Sequence, residues 1–354
     1  MSSKNFLSYF FWIIIGFLVG FSLPWGFIKI IYSPDVIKET SSIIFSLIPL
    51  KKDISSVVYQ REYPHKEIIV NEEKETSLVF VGDIMLCRGV ERSVNKNFNG
   101  NFLSLFEGLD FIKNADVSFG NLEGPVSLKG KNLGNLYSFR MNPLVIDSLK
   151  EAGFDVLSIA NNHIGDWGEE AFKDTILNLK NKNIEPCGES TEPVIIEKNN
   201  LKVGFLCFSD VGPNWLKIND RNPGILIVDD SFKDVIKSAS LKVDFLIVSL
   251  HFGEEYKKDH NKRQEYLSHL AIDNGAKLVI GHHPHVVEDI EIYNNGLIAY
   301  SLGNFIFDQY FSKETMRGMA LEIILSNDGT IKSFDKKNIK LNKFYKPDLE
   351  TSSF

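Results

Sequence analysis

From Ser77 onward, short runs of β-branched and aromatic residues alternate with longer stretches in which apolar residues recur every three or four positions. The first pattern is that of strands and the second that of amphipathic helices, so their alternation predicts an α/β domain with helices on the faces of a sheet. Strands are expected at Leu78–Val81, Val117–Phe119, Asp155–Ile159, Val203–Phe208, Val243–Leu250 and Lys277–Ile280. Helices are expected at Asn101–Lys113, Pro143–Ala152, Glu169–Asn181, Ser231–Ser238 and Asn261–Asn274. Lys198-Asn199-Asn200, Tyr293-Asn294-Asn295-Gly296 and Asn327-Asp328-Gly329 each separate two apolar runs and predict hairpins. Hairpins join antiparallel strands, so a purely parallel, doubly wound sheet does not fit. The expectation is a mixed two-sheet α/β sandwich with no internal repeat.

Upstream the pattern changes. No charged residue occurs from Asn5 to Ile28, and apolar residues occupy every side of the helix that this run would form. At ~1.5 Å per residue the run spans a ~30 Å hydrocarbon core, and Trp12 and Trp25 lie towards its ends, as interfacial aromatics do. These features predict a single transmembrane anchor within residues 1–32. A secretory signal fits the position as well, but no small-x-small cleavage site follows and the run exceeds a typical signal core. Residues 33–76 hold no period and read as a stalk, with Ile43–Leu50 equally compatible with a short membrane-surface helix. The folded domain is then expected over 77–345, with a tail at 346–354. Lys4 precedes the apolar run and Lys29 and Lys38 follow it, so the positive-inside count does not orient it.

A net charge of −7 and the absence of a Lys/Arg stripe argue against nucleic acid as a partner. An anionic polymer would need a local basic pocket. Cys87, Cys187 and Cys207 have no metal-type spacing, and their odd number makes no complete disulfide framework, so all three read as small apolar residues.

Chemistry concentrates directly after the expected strands, where α/β folds place their ligand loops. The clusters are Gly82-Asp83-Ile84-Met85, Gly120-Asn121-Leu122-Glu123-Gly124, Ala160-Asn161-Asn162-His163 with Asp166, His251-Phe252-Gly253-Glu254-Glu255-Tyr256, Gly281-His282-His283-Pro284-His285 and Ser301-Leu302-Gly303-Asn304-Phe305. Carboxylate plus imidazole is the donor set of catalytic Zn, Mn or Fe sites, which predicts one or two divalent ions. Taken singly, Asp83 also suits a turn or helix cap, and Asn162-His163 a hydrogen-bonded turn. His283-Pro284-His285 is the strongest local signal: in extended backbone the two imidazoles share a face, and Pro restricts the residue before it to that conformation. His269 falls on an expected helix and His260 directly before it; neither has a matching partner, and both read as surface or core residues.

The order Asp, acidic residue, Asn-His, His, His-x-His resembles that of the calcineurin-like metallophosphatase superfamily. VGDIML, NLEGP, FRMNPLVIDSLKEAGFDVLSIANNHIGDWG, HFGEEY, GHHPHVVEDIE and YSLGNFIFDQ, spread over about Leu78 to Leu325, more closely resemble the CapA-type proteins of capsule and poly-γ-glutamate biosynthesis. The resemblance implies that Asp83 and His285 bind one metal, that Glu123 bridges, and that Asn162, His251 and His283 bind the second. It further implies that His163 faces a leaving group, the ions activating water and spreading charge at phosphorus; Asp166, three residues on, fits either to orient His163 or to serve the same purpose through water. It also implies an extracytoplasmic domain on the cell membrane, partnered by an anionic cell-surface polymer or its precursor, by membrane-embedded polymer synthase subunits and by membrane lipid. Two departures matter. Met85 stands where the superfamily has a ligating His, and Glu123 stands where it has Asp. Hydrolysis of a phosphoester, amide or other acyl bond is therefore one expectation, and an accessory polymer-binding role is the other. Arg140 and Glu255-Tyr256 read equally as substrate contacts and as ordinary ion-pair or core residues.

Overall fold

A computed structural model describes residues 74–219 and 222–350. The expected anchor and nearly all of the expected stalk lie outside the described residues, and among those described no helix is long and apolar enough to cross a membrane.

Two sheets form the domain. The first is eight-stranded, ordered β14-β13-β12-β1-β2-β3-β4 with β11 also on β1: β1 is Thr76–Ile84, β2 Val117–Leu122, β3 Val156–Ser158, β4 Glu185–Cys187, β11 Asn304–Ile306, β12 Arg317–Leu325, β13 Ile331–Leu341 and β14 Pro347–Leu349. The second is six-stranded, ordered β5-β6-β7-β8-β10-β9: β5 is Val194–Lys198, β6 Leu201–Ser209, β7 Phe245–His251, β8 Leu278–His282, β9 Ile290–Tyr293 and β10 Gly296–Ala299. In each sheet the central strands run parallel. Their near-continuous apolar runs are buried on both faces, as parallel strands require. Antiparallel strands flank them, so the mixed two-sheet α/β expectation holds.

All six expected strands are present, as are the three hairpins. Asn199, Asn200, Asn294 and Asn295 take left-handed φ values of 49°, 67°, 45° and 63°, which asparagine tolerates better than most side chains. Four helices follow expectation: Val145–Ala152, Gly168–Lys180, Phe232–Ser240 and Lys262–Asp273. The fifth does not. Within 101–113 a 3-10 turn at Phe102–Leu105 and a short helix starting at Asp110 are separated by Gly108, at φ +84°. In chain order the α-helices are α1 (Arg88–Asn97), α2 (Asp110–Asn114), α3 (Val145–Ala152), α4 (Gly168–Lys180), α5 (Phe232–Ser240) and α6 (Lys262–Asp273). Helix α1, which the apolar pattern does not announce, buries only Gly89, Val90 and Val94. The first sheet runs on through β14, inside the segment 346–354 read from sequence as a tail.

The sheets pack face to face. Phe119 on β2 stacks on Phe205 on β6 with centroids 5.6 Å apart, inside one core drawing side chains from both sheets. A second apolar cluster lies between the second sheet and α5 and α6. The reading of the cysteines is corrected here. Cys187 at the end of β4 is disulfide-bonded to Cys207 on β6, with Cα atoms 5.5 Å apart, so the bond staples one sheet to the other; only Cys87 is free. The pair is brought together by tertiary packing, which spacing along the chain does not encode.

A 20-residue separation between bonded cysteines removes about 3 kcal/mol of unfolded-state entropy in the chain-entropy picture. Cys187→Ser with Cys207→Ser should lower unfolding free energy by about 2–4 kcal/mol. Denaturant unfolding of wild type with and without reductant checks this, because the reductant should shift wild type alone.

Candidate metal centre

The carboxyl ends of β1, β2, β7 and β8 meet at one point, and backbone contact closer than any Cβ permits makes this possible. A Cβ on Gly82 would lie 1.9 Å from the Gly303 carbonyl oxygen, and one on Gly281 would lie 1.8 Å from that of Tyr300. Glycine alone lets these loops pass one another.

Asp83 and Glu123 are fully buried there. Asn121 binds the cluster together: its amide donates to Asp83 Oδ1 at 2.8 Å and to Glu123 Oε2 at 3.4 Å, and lies 3.4 Å from His251 Nδ1. Asn161 donates to Asn121 Oδ1 at 3.2 Å and fixes its orientation. His251 Nε2 lies 2.8 Å from Asn162 Oδ1, and the His251 and His283 rings are 4.9 Å apart. His285 Nδ1 is 3.0 Å from Asn304 Oδ1 and 3.2 Å from Asp83 Oδ2, with Nε2 3.6 Å from Glu123 Oε1. His163 turns Nδ1 to Asp166 Oδ2 at 2.9 Å and Nε2 towards Glu123 Oε1 at 3.9 Å. Asp166 accepts in addition from the Phe139 backbone N–H and the Asn135 amide, each at 2.7 Å. All eight residues named from sequence thus converge on one site.

Electrostatics follow from burial. Burial alone would raise the Asp83 pKa, but the imidazoles of His282 and His285 set against it hold it well below the usual carboxylate range. Burial raises Glu123 well above that range, with Asp83 adding repulsion against the pull of His285. Burial and the neighbouring imidazoles lower His251 strongly and bring His283 to about 3, so both rings are neutral at pH 7, the form that ligates metal. Burial opposes charge on His285 too, yet Glu123 and Asp83 raise it to about 9.

The donor set suits a divalent ion. Oxygen or nitrogen atoms of Asp83, Glu123 and His251 all lie within 4.8 Å of one another. Glu123 Oε1, His283 Nδ1 and both ring nitrogens of His282 are buried without a hydrogen-bond partner, and such orphaned atoms are costly unless something satisfies them. Beside them opens a cavity of about 260 Å³, bounded by Arg88, Tyr137, Phe139, Tyr256, His163 and His285.

The sequence matches the family described as bacterial capsule synthesis protein PGA_cap over residues 77–309. The chain belongs to this family. It is 33% identical to the PGA biosynthesis protein CapA of Bacillus subtilis (strain 168) over 264 residues, 72% of this chain and 69% of that protein. It is 32% identical to the capsule biosynthesis protein CapA of Bacillus anthracis over 274 residues, 73% of this chain and 66% of that one. Among solved structures, a phosphatase from Mycoplasma pneumoniae aligns over 78% of this chain and 98% of its own, at 15% identity and a TM-score of 0.47.

Three features depart from the sequence reading. His283 and His285 do not converge by alternation in extended backbone: their φ values are +100° and +59°, so a left-handed turn aims them inward. Met85 lies in the core with its sulfur 3.1 Å from Cys87 Sγ. And His282, quoted in GHHPH without a role, sits 3.2 Å from Asp83 Oδ1, completely enclosed beside Phe119. The signal for His282 was its identity alone. Asn121 likewise stood in a quoted phrase as a plain strand-end polar residue. Arg88 carried no signal: it has φ +55°, pairs with Asp308 at 3.1 Å, and lies 5.0 Å from the centre of the Phe139 ring. Of the residues left open, Glu255 and Tyr256 line the cavity, while Arg140 lies 3.5 Å over the Trp167 ring. His260 and His269 pair with Asp289 and Glu291 and stack on Tyr300 and Tyr293.

Glu123→Ala and His283→Ala should each strip metal from protein purified without chelator, whereas His163→Ala should retain it. His282→Ala should weaken metal affinity about 10–100-fold through loss of its support to Asp83. Elemental analysis of the four variants decides, and equal metal content in all would overturn the assignment.

Proposed function

We propose that this protein serves capsule-polymer biosynthesis outside the cytoplasm, tethered by its apolar amino-terminal run, and that it holds one or two divalent ions (Mn, Zn or Fe) with Asp83, Glu123, Asn162, His251, His283 and His285. The partners on this reading are an anionic polymer such as poly-γ-glutamate or its precursor, membrane-embedded synthase subunits and lipid. The observation that carries the site is the set of buried, hydrogen-bond-free donor atoms around Asp83 and Glu123. Family membership supplies the biological setting. The Cys187–Cys207 bond supports an extracytoplasmic domain, since disulfides persist in oxidising compartments.

A second reading, metal-dependent hydrolysis of a phosphoester or acyl bond in a cell-surface polymer, is favoured by the pair His163–Asp166. Asp166 takes the Nδ1 side of the ring, and Phe139 stacks on it with centroids 3.9 Å apart, so Nε2 is left facing the carboxylates. That nitrogen can hold a proton for a departing oxygen. Arg88, its guanidinium backed by Asp308, presents positive charge across the same cavity to an anionic substrate. A divalent ion bound beside them would supply Lewis acidity to a phosphoryl or carbonyl oxygen.

The test is the full-length chain purified without chelator, analysed for metals and screened against generic phosphoesters and poly-γ-glutamate. Metal with turnover establishes the hydrolase, metal without turnover leaves the accessory role, and no metal under any loading condition overturns the site. Where there is turnover, His163→Ala should lower it about 10²–10⁴-fold with metal retained, and Asp166→Asn should lower it by less.

A further inference from the structure

On the far side of Tyr310 and Phe311 from the metal cavity lies a second, larger groove of about 510 Å³. Its walls carry Lys313, Arg317, Lys340 and Lys343, and no acidic side chain lines it. In a chain of net charge −7 this grouping runs against the overall balance. It also runs against the sheet that bears it. Arg317 on β12 and Lys340 on β13 are direct cross-strand partners, and like charges directly opposite one another destabilise a ladder. Compensation is partial. Glu350 pairs with Arg317 at 3.2 Å. Asp348 lies opposite Lys340 across β14, but its Oδ2 accepts from the Asn342 amide instead. Lys343 lies 4.9 Å from the centre of the Phe344 ring. Among the described residues no carboxylate forms an ion pair with Lys313, Lys340 or Lys343.

Arg317 and Lys340 opposed in the ladder, with Lys313 and Lys343 lining the same groove, call for an anion to offset them. The groove and the metal cavity share Tyr310 and Phe311 as a common wall, and Arg88 stands on the cavity side. Positive side chains thus continue from Lys343 and Lys340 past the aromatic pair to Arg88. We infer that the groove seats an extended polycarboxylate chain, one linear strand of anionic groups, whose continuation past Tyr310 and Phe311 reaches the metal cavity. The groove is narrow and the chain as a whole carries a net charge of −7, which favours a single strand over a broad polyanion such as duplex nucleic acid. The reach into the cavity rests on the function proposed above; the seating in the groove does not, because none of its cations belongs to the metal centre.

Lys340 and Lys343 are exposed, so Lys340→Glu with Lys343→Glu alters the groove without touching the core. Lys237→Glu, exposed on α5, makes a single charge reversal on the helical face of the second sheet and serves as the control. The probe is poly-γ-glutamate, titrated into each full-length protein across a range of salt concentrations, with metal content measured on the same samples. The double variant should bind about tenfold more weakly, with a shallower dependence on salt. The control should stay close to wild type, and metal content should be equal in all three. Equal binding by all three proteins, or no binding by wild type at low salt, overturns the inference. Tighter binding of duplex DNA than of poly-γ-glutamate at the same ionic strength overturns the polycarboxylate assignment. Polymer binding that depends on the groove in a protein without metal would sink the metal-centre reading and leave the groove standing; metal with groove-independent binding would do the reverse.

Discussion

Two carboxylates at zero solvent exposure set the terms for the rest of this structure. Removing an ionised carboxylate from water costs several kcal/mol unless partners replace the lost hydration, and Asp83 and Glu123 lie side by side at the end of a hydrophobic core. The fold meets that cost locally. Asn121 touches both acids, His282 and His285 flank Asp83, and His285 also reaches Glu123. The backbone is bent to the same end. The register of β1 shifts between Phe80 and Asp83 against β2, and again at Asp83/Ile84 against β11. Such irregularities re-aim side chains. Here Asp83 enters the cluster while Met85, two residues on, enters the core.

How much of this could be read from sequence depended on what each feature rests upon. The parallel strands were legible because burial on both faces leaves a near-continuous apolar run, as in Phe245–Leu250. The asparagine hairpins were legible because a side chain that tolerates left-handed backbone announces itself by identity. Helix α1 was not, since only Gly89, Val90 and Val94 of its ten residues are buried and so thin a stripe shows no period. Nor was β13, whose exposed middle pairs Lys336 and Lys337 with β12 and hides every sign of alternation. Site residues were legible as types at strand ends. Their geometry was not: the left-handed φ of His283 and His285 on either side of Pro284 contradicts what proline suggests for its neighbours, and only the surrounding loops impose it. The Cys187–Cys207 bond belongs to the same class, because it reports the packing of β4 against β6.

Met85 then takes on a different meaning. Read along the chain, it is a missing ligand. In the fold, Met85 is buried in the core against Cys87, while His282 holds its Nδ1 3.2 Å from Asp83 Oδ1 without satisfying hydrogen-bond geometry. His282 thus brings an imidazole nitrogen to Asp83 from the end of β8.

The cavity beside the candidate metal site is held by contacts that tie distant parts of the chain. Asp308 accepts from the Gly89 backbone N–H at 2.8 Å and pairs with Arg88, across 219 residues of sequence. Arg88 stacks over Phe139, Phe139 stacks on His163, and Asp166 holds both the His163 ring and the Phe139 backbone. The positive charge that would receive an anion and the imidazole that would hold a proton thus share one aromatic ring between them. Arg88 and His163 line the same cavity, and Tyr310 and Phe311 line both that cavity and the groove that carries Lys313, Arg317, Lys340 and Lys343.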